Sequence, residues 1–237
     1  IVRQWKMDDP MLDFRVYKFP MFALSSIISV TISASMFSGM LLTPLYVQTV
    51  RGISPFYSGI LMLPGAIVMG IMSPITGRLF DKYGAKALAI IGLSILVVTT
   101  YLLSFLTMED SYFYLMTLYT TRMFGMSLVM MPVMTNGLNE LPMRMNPHGT
   151  AMNNTLQQVS GAIGSAILLT IMAKHSETVG IVLQKQAAQG KTFEFDIELL
   201  AMLEGINHTF FISTIFALVA LLLALFIRRP NIPNIHD

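Results

Sequence analysis

The sequence has 237 residues, 54% of them apolar and only 12% charged, with a formal net charge of +2 at pH 7. Soluble domains carry about 25% charged residues, so this chain lacks the charge to cover a water-facing surface and reads as an integral membrane protein, or part of one. The small net charge without a clustered basic tract excludes a nucleic-acid footprint, the apolar content excludes disorder, and the absence of cysteine excludes disulfides and thiolate chemistry.

Residues 1–18 are polar and hold no apolar run of signal-peptide type, so they read as a cytoplasmic linker with a juxtamembrane helix. Asp9 is its expected N-cap, and Pro10 stands at its first helical position. The chain opens on Ile1 rather than Met, which suggests a piece of a longer protein. A membrane helix needs about 20 apolar residues. Six stretches qualify, at about 19–47, 57–76, 85–106, 112–137, 149–173 and 208–227. The expected fold is therefore an all-α membrane protein, a six-helix bundle over 19–228 with an external loop at 174–207 and a cytoplasmic tail at 229–237. In the external loop, 193–204 sets Glu194, Asp196, Glu198 and Glu204 against Ile197, Leu200, Ala201 and Leu203 at helical spacing. It reads equally as a short amphipathic helix on the outer surface or as a solvated loop.

An even span count puts both ends on one side. With those ends cytoplasmic, Arg3, Lys6, Arg15, Lys18, Arg78, Lys82, Lys86, Arg144, Arg228 and Arg229 lie inside, against Arg51, Lys174, Lys185 and Lys191 outside. The bias of lysine and arginine toward the cytoplasm favours this orientation, with the N- and C-termini of the segment both inside a cell membrane.

The connection between the second and third spans reads Gly77-Arg78-Leu79-Phe80-Asp81-Lys82-Tyr83-Gly84-Ala85-Lys86. Gly77 and Gly84 permit a tight turn. Asp81 can sit at the positive end of a neighbouring helix. Arg78, Lys82 and Lys86 hold the loop at the cytoplasmic face and are available to lipid phosphates. This pattern, G-x-L-x-D-x-x-G-x-K, resembles the signature loop of the major facilitator superfamily. Leu45-Tyr46-Val47-Gln48, Gly52, Ser54-Pro55 and Gly59, leading to Leu63-Pro64-Gly65, look like the seventh-to-eighth helix region of its fourteen-spanner drug:proton antiporters. Arg122, Gly125 and Met131-Pro132 look like their arginine helix, and Asn153, Asn154, Gln157, Gln158, Gly161 and Gly164 like their polar penultimate helix.

The resemblance implies the C-terminal half of a proton-coupled multidrug efflux transporter, in which two halves rock about a midplane site. It implies hydrophobic or cationic small-molecule substrates, a missing N-terminal transmembrane half and surrounding lipid as partners, a proton gradient as energy source, and no cofactor. Alternatives are a self-contained six-helix subunit acting as a dimer or accessory protein, and a same-fold transporter of a narrow substrate. An enzyme is not expected: H-E-x-x-H and P-loop motifs are absent, and His148, His175, His208 and His236 read as dispersed over loops and helix ends.

Arg122 is the one charge well inside a span. An intramembrane arginine costs about 2.5–3.5 kcal/mol on insertion scales, so it marks a functional site or a defined partner. No acid of this chain is expected at its depth, which leaves a carbonyl, a polar side chain, the substrate or an acid of the missing half. For the same reason, the proton-coupling acid is expected in that half. On the fifth span Thr150, Asn154, Gln157, Gly161 and Gly164 share a stripe. Asn154, Gln157 and Gly161, with Asn136 on the fourth span, are the candidate cavity-facing residues, helix packing being the competing role. Gly161 with Ser165, and Ala66 with Gly70, are small pairs suited to close helix contact. The 20 methionines suit a promiscuous apolar pocket and equally suit core filling.

Overall fold

The computed structural model describes residues 14–228. Every regular element among them is helical: a short 3-10 turn at Phe14–Lys18, then α1 (Pro20–Leu45), α2 (Pro55–Leu102), α3 (Tyr112–Leu138), α4 (Asn146–Ala188) and α5 (Ile197–Ala224). The linker before Phe14, with its expected cap at Asp9, and the tail from Arg229 onward lie outside the described residues. Four helices, α1, α2, α4 and α5, are long and apolar enough to cross a membrane.

With 48 residues, α2 supplies two spans, because its backbone leaves helical geometry at Gly84 (φ 78°, ψ 169°). Contacts with α3 show that the chain reverses there. On the first limb, Gly65 lies against Tyr119 and Met123, and Gly77 against Met131, so this limb runs parallel to α3. On the second limb, Gly92 meets Gly125 and Val129 while Thr100 meets Arg122, so that limb runs antiparallel. The expected inter-span loop is thus compressed to one residue, with helix on both sides. That backbone region is essentially open to glycine alone, and a side chain there costs about 1–3 kcal/mol. Gly84→Ala is therefore expected to lower the melting temperature of the detergent-purified protein. An unchanged melting curve would show that the turn tolerates a Cβ.

The last two spans differ most from the sequence reading. α4 continues to Ala188 and α5 begins at Ile197, so the expected external loop at 174–207 shrinks to an eight-residue connection. Hydropathy marks where the membrane ends, whereas Leu183, Gln184, Lys185, Gln186, Ala187 and Ala188 carry the helix on by their propensity alone. The stop is Gly190, whose φ of +90° closes a Schellman turn: Lys191 N–H donates to Gln186 O at 3.1 Å, and Gly190 N–H to Ala187 O at 3.0 Å. Asp196 caps α5 by accepting from Glu198 N–H at 2.9 Å. Of the two readings of 193–204, a separate surface helix or a solvated loop, neither describes the part from Ile197 onward, which forms the first turns of α5, continuous with its span.

The core divides along the bundle. One apolar cluster joins Leu42, Tyr46, Leu61, Leu103, Leu115, Ile206 and Phe210. A second joins Ile28, Ile32, Ala89, Leu93, Met126, Val129, Ala217 and Ala220, and a small third joins Val16, Phe22, Leu141 and Met152. Between the two large ones α1 contributes the buried Ser33, Ser35 and Ser38, and α5 the buried Ser213 and Thr214. At the first cluster's end, α1 passes into a π-helical turn at Tyr46–Val50. There the Tyr46 hydroxyl donates to Thr107 O at 2.5 Å, and Arg51 Nη1 donates to Met108 O, tying this end to the α2–α3 connection.

Candidate functional site

Arg122 occupies the polar layer between the two large apolar clusters and is 1% exposed. Its Nη2 donates to Ser35 O on α1 at 2.5 Å, and its Nε to Thr100 Oγ1 on α2 at 3.3 Å. Space for the guanidinium exists because residue 39 is glycine: a Cβ there would lie 1.7 Å from Arg122 Nη1 and 2.3 Å from Cζ. Of the partners the sequence left open, the structure thus supplies a backbone carbonyl and a hydroxyl. No carboxylate is paired with Arg122 among the described residues, so the layer holds a buried cation solvated by oxygen dipoles alone.

Gly39 and the serine-rich face of α1 were not singled out from the sequence. Their signal is the run Ser25-Ser26, Ser29, Ser33, Ser35 and Ser38 in an otherwise apolar span, all of it buried. Ser33 and Ser38 donate to the carbonyls of Ser29 and Ser35. The hydroxyls of Ser25 and Ser35 have no hydrogen-bond partner among the described residues.

The signature stretch is arranged at one end of the bundle. Arg78, Asp81, Lys82 and Lys86 are all exposed, Gly77 and Gly84 are half-buried, and Lys82 Nζ lies over the Tyr83 ring at 5.2 Å. Asp81, which its position in the loop would allow at a helix N-terminus, is exposed, and the acid found at one is Glu140. Glu140 Oε2 accepts from Met21 N–H at 2.6 Å and from Phe22 N–H at 3.1 Å. α1 needs this help because its N-cap is Phe19, which has no acceptor, followed by Pro20. A carboxylate on two free N–H groups at a helix N-terminus combines charge-assisted hydrogen bonding with the helix dipole. Glu140→Ala should destabilise the purified protein by about 1–3 kcal/mol. Glu140→Gln, which keeps one acceptor oxygen, should recover part of that loss, as read by thermal denaturation.

The candidate cavity-facing residues separate. Asn136 is buried, and its Nδ2 donates to Arg228 O at 3.3 Å, clamping α3 to the end of α5. Gly161 is buried against α1, where a Cβ would meet the Phe37 ring at 2.2 Å, so it serves close packing. Gln157 is half-buried and Asn154 is exposed. Ala66 and Gly70 lie on the exposed face of α2, with nothing within 4 Å of a Cβ at Gly70. At 100° per residue the exposed surface of α4 has two flanks. Asn154, Gln158 and Ala162 lie on one, and Val159, Ile163 and Ile167 on the other.

Two of the dispersed histidines meet: the rings of His175 on α4 and His208 on α5 stack at 4.0 Å with an interplanar angle of 1°. Among the described residues no cluster of three or more metal-binding side chains occurs.

Comparison with known proteins places this geometry. Residues 7–165 match the family model described as Major Facilitator Superfamily. An uncharacterized MFS-type transporter, YhcA of Bacillus subtilis, is 56% identical over 171 residues, 72% of this chain and 32% of its own. A second from that organism, YcnB, is 40% identical over 98% of this chain and 46% of its own. The lincomycin resistance protein LmrB of Listeria monocytogenes is 42% identical over 96% of this chain and 47% of its own. This chain therefore spans less than half the length of these curated relatives. A bundle of long apolar helices reversing at a signature-loop glycine, with that family match over most of its length, belongs to the Major Facilitator Superfamily of multi-pass membrane transporters.

Proposed function

We propose that this chain is the C-terminal half of a proton-coupled efflux transporter for drug-like molecules, working by alternating access against an N-terminal half. The observation that carries the reading is Arg122, a buried cation without an acid, in the polar layer midway along the bundle. A charge is retained at that depth where a substrate or a partner group answers it. The similarity to a lincomycin resistance protein of Listeria favours export of antibiotics. The chain's share of its relatives favours a half-transporter over a self-contained subunit. Asn154 and Gln158 on one α4 flank, and the small Ala66 and Gly70 on α2, suit contact with a second bundle or a wet pathway. The flank of Val159, Ile163 and Ile167 suits lipid. Substrates of this design are hydrophobic or cationic small molecules, and the coupling acid belongs to the other half.

The orientation proposed is cytoplasmic for Arg78–Lys86 and external for the α4–α5 connection, in the cell membrane. The chain has no cysteine of its own, so single cysteines at Arg78 and Gln189 give a clean accessibility test. An impermeant maleimide should label Gln189→Cys but not Arg78→Cys in intact cells. The function itself is tested by expressing the full-length protein in an efflux-deficient host. Raised lincomycin tolerance and active dye extrusion, both abolished by a protonophore and by Arg122→Ala, are the expected result. Normal expression with no change in tolerance or extrusion would overturn the reading.

A further inference from the structure

Where α4 and α5 leave the bundle they meet through two successive contacts. Ser176 packs on the bare backbone of Gly205, where any Cβ would collide with its hydroxyl. Next to it the rings of His175 and His208 lie face to face, 4.0 Å apart and 1° from parallel. Both rings are half-buried, and among the described residues His208 Nδ1 and Ser176 Oγ are buried without a hydrogen-bond partner. The charged groups around the pair are Lys174 and Glu177 on α4, Glu204 on α5, and Glu109 on the α2–α3 connection, all exposed. Nearby, Arg51 is engaged with Met108 O, and Asp110 with Thr107 and the Tyr46 hydroxyl. Neither ring has a carboxylate partner among the described residues.

We infer that the His175–His208 stack is a pH-sensitive clasp, which holds α4 against α5 while a ring is neutral and releases α4 when both are protonated. Two imidazolium rings at stacking distance repel, with no carboxylate to offset them. Each also carries two N–H donors, so a proton on His208 Nδ1 would be buried without an acceptor. The helix that yields is α4. Beside His208, Asn207 grips Leu106 twice, its Oδ1 accepting from Leu106 N–H at 3.2 Å and its Nδ2 donating to Leu106 O at 2.8 Å. That fixes α5 to the α2–α3 connection. Among the described residues no side-chain hydrogen bond ties α4 to a neighbouring helix at this end. On the orientation proposed above, the clasp faces the cell exterior, and external acid would loosen the α4 tip. The clasp carries no proton across the membrane and acts whether or not the protein exports anything.

The test is a distance measurement on the full-length protein in lipid nanodiscs, where both faces meet one buffer. Spin labels at Ala188→Cys on the α4 tip and Ser111→Cys at the start of α3 read the swing, with any cysteine elsewhere in the protein replaced. Between about pH 8 and about pH 5, a range that brackets an ordinary imidazole, a second, longer-distance population should grow from absent to dominant. The pair Glu198→Cys and Ser111→Cys should stay unchanged, because Asn207 holds α5. His175→Phe with His208→Phe keeps two stacked rings without their charge and should abolish the response. His175→Phe alone, which leaves one ring to protonate, should abolish it too. A wild-type distribution that ignores pH, a response that survives the double substitution, or a swing of α5 equal to that of α4 would each overturn the inference. The wild-type titration decides even where a substituted protein fails to fold. Loss of drug export with the pH response intact would sink the transport reading and leave this one standing.

Discussion

Gly39→Ala should be among the most damaging single-methyl additions in the chain. The added carbon would overlap Arg122 Nη1 and Cζ, and the guanidinium could escape only by abandoning Ser35 O and Thr100 Oγ1. Stranding a buried charge costs about 3–5 kcal/mol, a large part of the 5–15 kcal/mol that typically separates native from unfolded states. The expected outcome is a strong loss of folded protein in the membrane fraction and a lowered melting temperature of what remains. The test that isolates the mechanism is the double variant. Gly39→Ala combined with Arg122→Met removes the charge along with its niche and should melt above Gly39→Ala alone, a coupling of about 1–3 kcal/mol. If the two effects simply add, Gly39 does not act through Arg122.

The crossing of α2 and α3 carries the second large effect. Gly92 and Gly125 face each other with nothing between: a Cβ at Gly92 would lie 2.5 Å from Gly125 O, and one at Gly125 would lie 2.9 Å from Gly92 O. A backbone carbonyl cannot rotate away as a side chain can, so relief requires the helices to separate. Gly92→Val should cost about 3 kcal/mol, at the upper end of overpacking substitutions. Gly70→Ala on the first limb of α2 is the matched control, since open space surrounds it. It should be neutral or raise stability by up to about 1 kcal/mol through helix propensity. A thermal-shift series in one detergent separates the two. If Gly92→Val melts with the wild type, the helices do not cross as closely as described.

Much of the architecture was legible because membrane helices announce themselves by length and apolarity. The reversal at 77–86 was legible because glycine and charge mark a membrane-facing turn. The limits of α4 and α5 were not, since hydropathy falls at the membrane surface whether or not the helix stops there. At the site, the sequence identified Arg122 by its cost. It could not identify Gly39, whose meaning comes from a side chain on another helix 83 residues away in sequence. Glu140 was passed over for the same reason. It acts on an N-terminus more than a hundred residues upstream, and the one local hint is that Phe19-Pro20 leaves α1 without an acceptor of its own. Small-residue pairs were ambiguous in principle: Gly161 fills a helix contact, while Ala66 is exposed and open space surrounds a Cβ at Gly70.

The uninterrupted length of α4 has a mechanical meaning. Its 43 residues make a rod of about 65 Å, against a hydrocarbon thickness of about 30 Å. About two-thirds of the way along it, Ser176 nests against Gly205 of α5. A rocking of only about 10° at the Asn146 end would sweep the Ala188 end through about 11 Å. Small angular changes among the spans thus emerge beyond the membrane as displacements larger than a helix radius. Under the alternating-access reading proposed above, a distance probe placed at the tip of α4 would read any rocking of the bundle at its greatest gain.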